Sequence, residues 1–203
     1  MGESLAKLQD ILHQLSDQLF RAWSVFLVAK QVDGALNREQ VMSGHYFLAA
    51  IYVGCTQSAI VALSKLARPH KDSIHVEYLL NCCEHSPQLF PGVDQEEVLR
   101  TVAEHRQQLE RVKPLIDHVT MWRNWAVAHL DRKYINDPAS MASLRAIDMV
   151  KVEEVFVLLQ GIINAYRGYL GASLIRLDEY EVKMAENWEY LMALMEKNSE
   201  AGA

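Results

Sequence analysis

The chain has 203 residues and a mass of 23.1 kDa, with 50% hydrophobic and 23% charged residues, which fits one globular domain and leaves only a short tail, residues 199–203, to disorder. A formal net charge of −6 argues against indiscriminate binding to nucleic acid. Three cysteines, Cys55, Cys82 and Cys83, argue against a disulfide framework, and they read as buried free thiols.

From about residue 3 to 32, Leu5, Leu8, Leu12, Leu15, Leu19, Trp23, Phe26 and Leu27 recur every three or four positions, so one long amphipathic helix is expected, ending near Asp33-Gly34. A second helix, about 38–67, contains "YFLAAIYVGCTQSAIVALSKLA", apolar on nearly every side and therefore central in a bundle. No apolar run reads as the roughly 18 residues that span a bilayer, and no basic start, apolar stretch and small-residue cleavage site combine at the beginning, so a cytoplasmic location is expected.

Asp72 or Ser73 is placed to cap a short helix, "SIHVEYLLNCCEH", which Ser86-Pro87 ends because the residue before proline avoids helical geometry. Cys82, Cys83 and His85 diverge by about 100° per position on that helix and make a poor start for a tetrahedral metal site. After the turn in "QLFPGVDQEE", Asp94 with Glu97 three residues later has capping-box spacing. A helical pattern then runs to Lys133, with a kink expected at Pro114. "INDPAS" breaks the pattern before a short helix near 139–146 and two longer ones near 149–171 and 173–197. No segment reads as strand, and the expected fold is an all-α, up-and-down bundle of six or seven helices forming a single domain over residues 1–198.

Of the segments 1–99, 100–133 and 134–203, only 100–133 is net positive, with 7 bases against 4 acids. Within it stands "MWRNWAVAHLDRKY", residues 121–134. Val112, Ile116, Val119, Arg123, Val127 and Leu130 fall along one stripe of the helix, apolar except at Arg123. A guanidinium keeps its charge on burial, so one facing the core needs a carboxylate, an escape along its own stem, or a cleft. His118, Trp122, Trp125 and His129 form a second stripe, and Arg132 and Lys133 beside His129 disfavour its protonation, as suits a general base. Arg123 and His129 stand about 9 Å apart along the axis and roughly 120° around it. They meet more readily across a two-fold axis between two chains than within one. The alternative is structural: Arg123 pairs with an acid on a neighbouring helix and His129 caps the helix end.

Arg123-Asn124, four spacers and His129, with "AHLD" at 128–131, resemble the hallmark of the HEPN superfamily of helical domains in its abortive-infection branch. "SAIVALSKLARPHKDSIHVEYLL", residues 58–80, is similar to that branch's central helix, charged loop and following helix, so the likeness covers about residues 40–135. The resemblance implies a homodimeric, metal-independent endoribonuclease of phage defence or a toxin-antitoxin system, requiring no cofactor. The ribose 2′-hydroxyl of its RNA substrate would be the nucleophile. Arg123, Asn124 and His129 would be catalytic, with Asp131 and His118 supporting them. Trp122 and Trp125 would stack on bases or pack in the core. Arg132, Lys133 and Arg111, with Arg106, would meet phosphates or line a solvated face. Asp131 stands where related toxins carry a modified tyrosine, and Arg68 where related helices carry an acid. The rival is a non-catalytic helical dimer that binds a nucleotide or a partner protein through the same cleft.

Overall fold

A computed structural model describes residues 4–37, 46–68, 74–128 and 148–201. Six α-helices run through them: α1 (Leu5–Asn37), α2 (Tyr46–Ala67), α3 (Val76–His85), α4 (Gln95–Ala128), α5 (Met149–Tyr169) and α6 (Leu177–Ala201). A 3-10 turn, Pro87–Leu89, joins α3 to α4, and no strand occurs among the described residues. The fold is an all-α bundle. The helix expected at 139–146 lies outside the described residues.

The α1 stripe faces the core as its spacing predicts: Leu8, Leu12, Leu15, Leu19, Trp23, Phe26 and Leu27 are all buried, while Leu5 at the first turn is exposed. The helix passes through the expected stop at Asp33-Gly34 because Val32 and Ala35 are buried on either side, and that burial outweighs the ~1 kcal/mol cost of a helical glycine. Trp23 stacks on Phe26 at 5.3 Å, and Phe156 of α5 meets both rings, at 5.3 and 5.1 Å. Leu63 and Leu66 of α2, Leu79, Leu80 and Cys83 of α3, Val98 and Val119 of α4, and Leu159 and Ile163 of α5 complete one continuous core.

Local chemistry sets most helix ends. The first described cap of α3 is His75, not the expected pair Asp72 and Ser73, which lie outside the described residues. Its extended backbone lets Nδ1 accept from the Tyr78 N–H at 3.2 Å. Asp94 caps α4 by accepting from the Glu96 N–H at 3.2 Å, whereas Glu97 accepts from the Tyr169 hydroxyl at 3.5 Å. Asp148 caps α5 through the N–H groups of Val150 and Lys151. α6 starts at Leu177, later than expected, because Gly171 turns the chain at φ +65° and the link is pinned in extended form. There Ile175 donates to Asn164 Oδ1 and accepts from Asn164 and Gln160, while Arg167 donates to the Ser173 carbonyl. Lys30 ties α1 to Glu153 of α5 and Glu181 of α6, each at 2.9 Å.

α2 departs from the expectation that no apolar run could span a bilayer. Phe47–Ala67 is long and apolar enough by length and composition. Tyr52, Thr56, Gln57 and Ser58 interrupt the run in polarity but bring no charge, and the first charged residue after Tyr46 is Lys65. α2 packs on α1 and α4 through Ala59, Ile60, Leu63 and Leu66, while Phe47 and Val53 stay exposed, at 73% and 51%.

Cys82 and Cys83 are buried as expected, whereas Cys55 on α2 is only half-buried; burial pushes the Cys83 thiol far up, which leaves it unreactive. Beside it, His105 of α4 shares a hydrogen bond of 3.1 Å with the Tyr166 hydroxyl of α5. Burial holds the His105 and His75 imidazoles below their ordinary value of 6.5, with Glu104 and Glu77 opposing weakly. The folded state therefore disfavours the imidazolium. The resulting stability is complete above about pH 6.5 and is lost as pH falls through the depressed folded values. Urea unfolding from pH 7.5 to 5 is expected to show that loss, and a His75→Asn/His105→Gln variant a flatter profile; equal slopes would contradict the assignment.

Candidate functional site

The distal half of α4 lies against α2 with the two helices running in opposite directions. Arg68, the residue after α2, pairs with Asp117 of α4, and one turn earlier Ser64 of α2 meets Arg123. Arg123 is half-buried, and its neighbour Asn124 is exposed. Asn124 Oδ1 accepts from Arg123 Nε at 3.1 Å and from Nη2 at 2.8 Å. Ser64 Oγ accepts from Nη1 at 3.4 Å while donating to the Val61 carbonyl at 2.9 Å.

A guanidinium has five N–H donors, of which these contacts engage one on each nitrogen. Among the described residues nothing accepts from the second N–H on each terminal nitrogen or from the amide NH2 of Asn124. Among the described residues no carboxylate pairs with Arg123. Three other cations on α4 or at the end of α2 have acids: Arg68 pairs with Asp117, Arg106 with Glu84 at 2.7 Å, and Lys113 with Glu110 at 2.9 Å. Among the described residues the arrangement leaves a fork of donors and a positive charge with no carboxylate against it, which is what a phosphate or carboxylate ligand requires.

The remaining expected residues divide three ways. Trp122 is half-buried and packs against the core, and His118, one turn before it, is also half-buried. Arg111 is exposed and lies twelve positions, roughly 18 Å along the axis, before Arg123, so the helix does not bring it to the same site. His129, Asp131, Arg132 and Lys133 lie outside the described residues, as does the side chain of Trp125. Val112, Ile116 and Val119 turn inward as the stripe predicts, though Val112 only partly.

Ser64 was missed by sequence reasoning. Its signal was a buried-side hydroxyl in an apolar helix, four positions before Arg68 and so on the same face. Arg68 stands in the charged segment similar to that of the abortive-infection branch, and here it finds its acid on α4.

Residues 5–191 match the family model for AbiU2, a HEPN family. The chain belongs to the AbiU2 family of HEPN domains. The match extends the likeness from about residues 40–135 to nearly the whole chain, taking in α1 and most of α6. No curated protein and no solved structure matches it. As an AbiU2-type HEPN domain it is related to abortive infection and defence, and Arg123 and Asn124 lie on its long helix α4.

Proposed function

We propose that this AbiU2-type domain is a metal-independent endoribonuclease, acting in the cytoplasm as a phage-defence or toxin component and working as a homodimer. The single observation that carries the reading is Arg123: a half-buried guanidinium, oriented by an amide and a hydroxyl and matched by no described carboxylate. His129 removes the proton of a ribose 2′-hydroxyl, the alkoxide attacks the adjacent phosphorus, and the 5′-oxygen leaves with a proton given by the protonated His129 of the second copy. The products are a cyclic phosphate and a free 5′-hydroxyl. Arg123 offers its two remaining terminal N–H groups to the phosphorane oxygens, and the Asn124 amide donates beside them. Trp122 serves as wall. Arg132 and Lys133 supply phosphate contacts, Trp125 a stacking face, and Asp131 and His118 support.

The test is cleavage of a labelled RNA pool in chelator, with the new ends analysed for cyclic phosphate. Wild type should cleave, and His129→Ala should lose at least about 100-fold, the scale of general acid-base catalysis, with an unchanged melting temperature. Wild type inert on every RNA would favour the rival, a helical dimer that binds a nucleotide or partner protein.

A further inference from the structure

From the α2–α4 contact we infer that Ser64 is a positioning residue for Arg123, and that the Arg68–Asp117 pair fixes the register in which the two meet. This rests on the reading of Arg123 as the anion-binding group.

Left to itself, an arginine on a helix samples many side-chain conformations, and fixing it costs up to about 2 kcal/mol of rotamer entropy. Two contacts restrain this one. Asn124 grips the Nε/Nη2 edge but belongs to the same helix as Arg123, so it moves with that helix and gives no reference to the rest of the fold. Ser64 does. It is buried, its hydroxyl proton is committed to the Val61 carbonyl, and its lone pair is thereby aimed at Nη1 from a second helix. The hydroxyl orientation is set by α2 alone, before any substrate arrives. One α-helical turn further on, just after α2, Arg68 clasps Asp117, six positions before Arg123 on α4. Four residues on one antiparallel helix span roughly 6 Å and six on the other roughly 9 Å, so the two ties fix both the slide and the rotation of α4 against α2. A slide of one residue, about 1.5 Å, would take the Ser64 hydroxyl out of reach of the guanidinium.

The Arg68–Asp117 pair is nearly half exposed at both ends, 46% each, so it adds little stability; its contribution is geometric. Ser64 accordingly acts through Arg123 and touches no substrate itself. A hydroxyl at this point prevents the guanidinium from swinging away from the edge that meets phosphate, and a misplacement of about 1 Å at a reacting centre costs up to about 100-fold in rate.

Ser64→Ala and Ser64→Thr separate this from a packing role. The Arg123 guanidinium N–H resonances, assigned by their loss in Arg123→Lys, are followed by NMR in each protein, together with kcat and KM on a labelled RNA pool. Separate, slowly rotating N–H signals are expected in wild type and Ser64→Thr, and one averaged signal in Ser64→Ala. In the same series kcat should fall about tenfold in Ser64→Ala with KM little changed, and Thr should restore it. A Ser64→Ala protein with restrained Arg123 signals and wild-type kcat overturns the role of Ser64. If wild type cleaves nothing but its Arg123 signals merge in Ser64→Ala, the ribonuclease reading falls and the positioning role stands. Wild type inert with signals alike in all three proteins removes both.

Discussion

Replacing Arg123 with lysine is expected to lower kcat for RNA cleavage by about 10² to 10³, as loss of a preorganised donor to a developing oxyanion does, while the melting temperature stays within a few degrees of wild type. The reason is geometric. Lysine keeps the charge but presents it as a point, with no planar fork. Asn124 Oδ1, which now receives two N–H groups from the guanidinium, would receive one at most, and no rigid pair of donors would be left for a phosphate. Stability should hardly change, because Arg123 is matched by no described carboxylate that its loss would strand, and Ser64 keeps its bond to Val61. Arg123→Ala should lose at least as much. The measurement is single-turnover cleavage beside a thermal melt. A lysine variant with near wild-type kcat would show that charge alone suffices and that the fork is irrelevant.

Phe156→Ala carries the largest expected loss of stability, about 3 to 5 kcal/mol, the range for removing a buried aromatic ring. Phe156 is fully buried and stands against both Trp23 and Phe26, so its removal leaves a cavity at the meeting of α1 and α5. The Trp23 indole N–H is buried and has no hydrogen-bond partner among the described residues, so packing against Phe26 and Phe156 is what holds the ring. A folded domain has only about 5 to 15 kcal/mol in total, and the variant should unfold at markedly lower urea. Phe156→Leu, which refills part of the space, should recover some of the loss. A change under about 1 kcal/mol in Phe156→Ala would mean that the neighbouring helices close the gap.

Much of the architecture was legible in the chain because the relevant forces are local and periodic. The α1 stripe, the stop at Ser86-Pro87, the Asp94 cap and the inward row Ile116, Val119 and Arg123 all follow from spacing and capping chemistry. The oddness of Arg123 was legible for the same reason, since one charge in an apolar row stands out. What answered it was not. Ser64 is 59 positions away, and only the packing of α2 on α4 brings it there. Gly34 read as a stop because burial of Val32 and Ala35 is a tertiary effect that no local signal carries. His75 was passed over as a cap because its ring nitrogen accepts only in one protonation state. α2 hid its membrane-like composition because polar but uncharged residues break the visual run without adding charge.

Pro114 divides α4 into two halves with different attachments. Ahead of it, Thr101 and His105 hold to α5 and Arg106 holds to α3; beyond it, Asp117 and Arg123 hold to α2. A proline supplies no N–H, so the carbonyl one turn earlier, at Glu110, goes without its usual helical donor at the boundary between these two sets. The polar ties that aim the guanidinium thus come from the α2 side, and those before the proline from α3 and α5, so the placement of Arg123 is set by how α4 seats on α2 and not by the contacts around Tyr166.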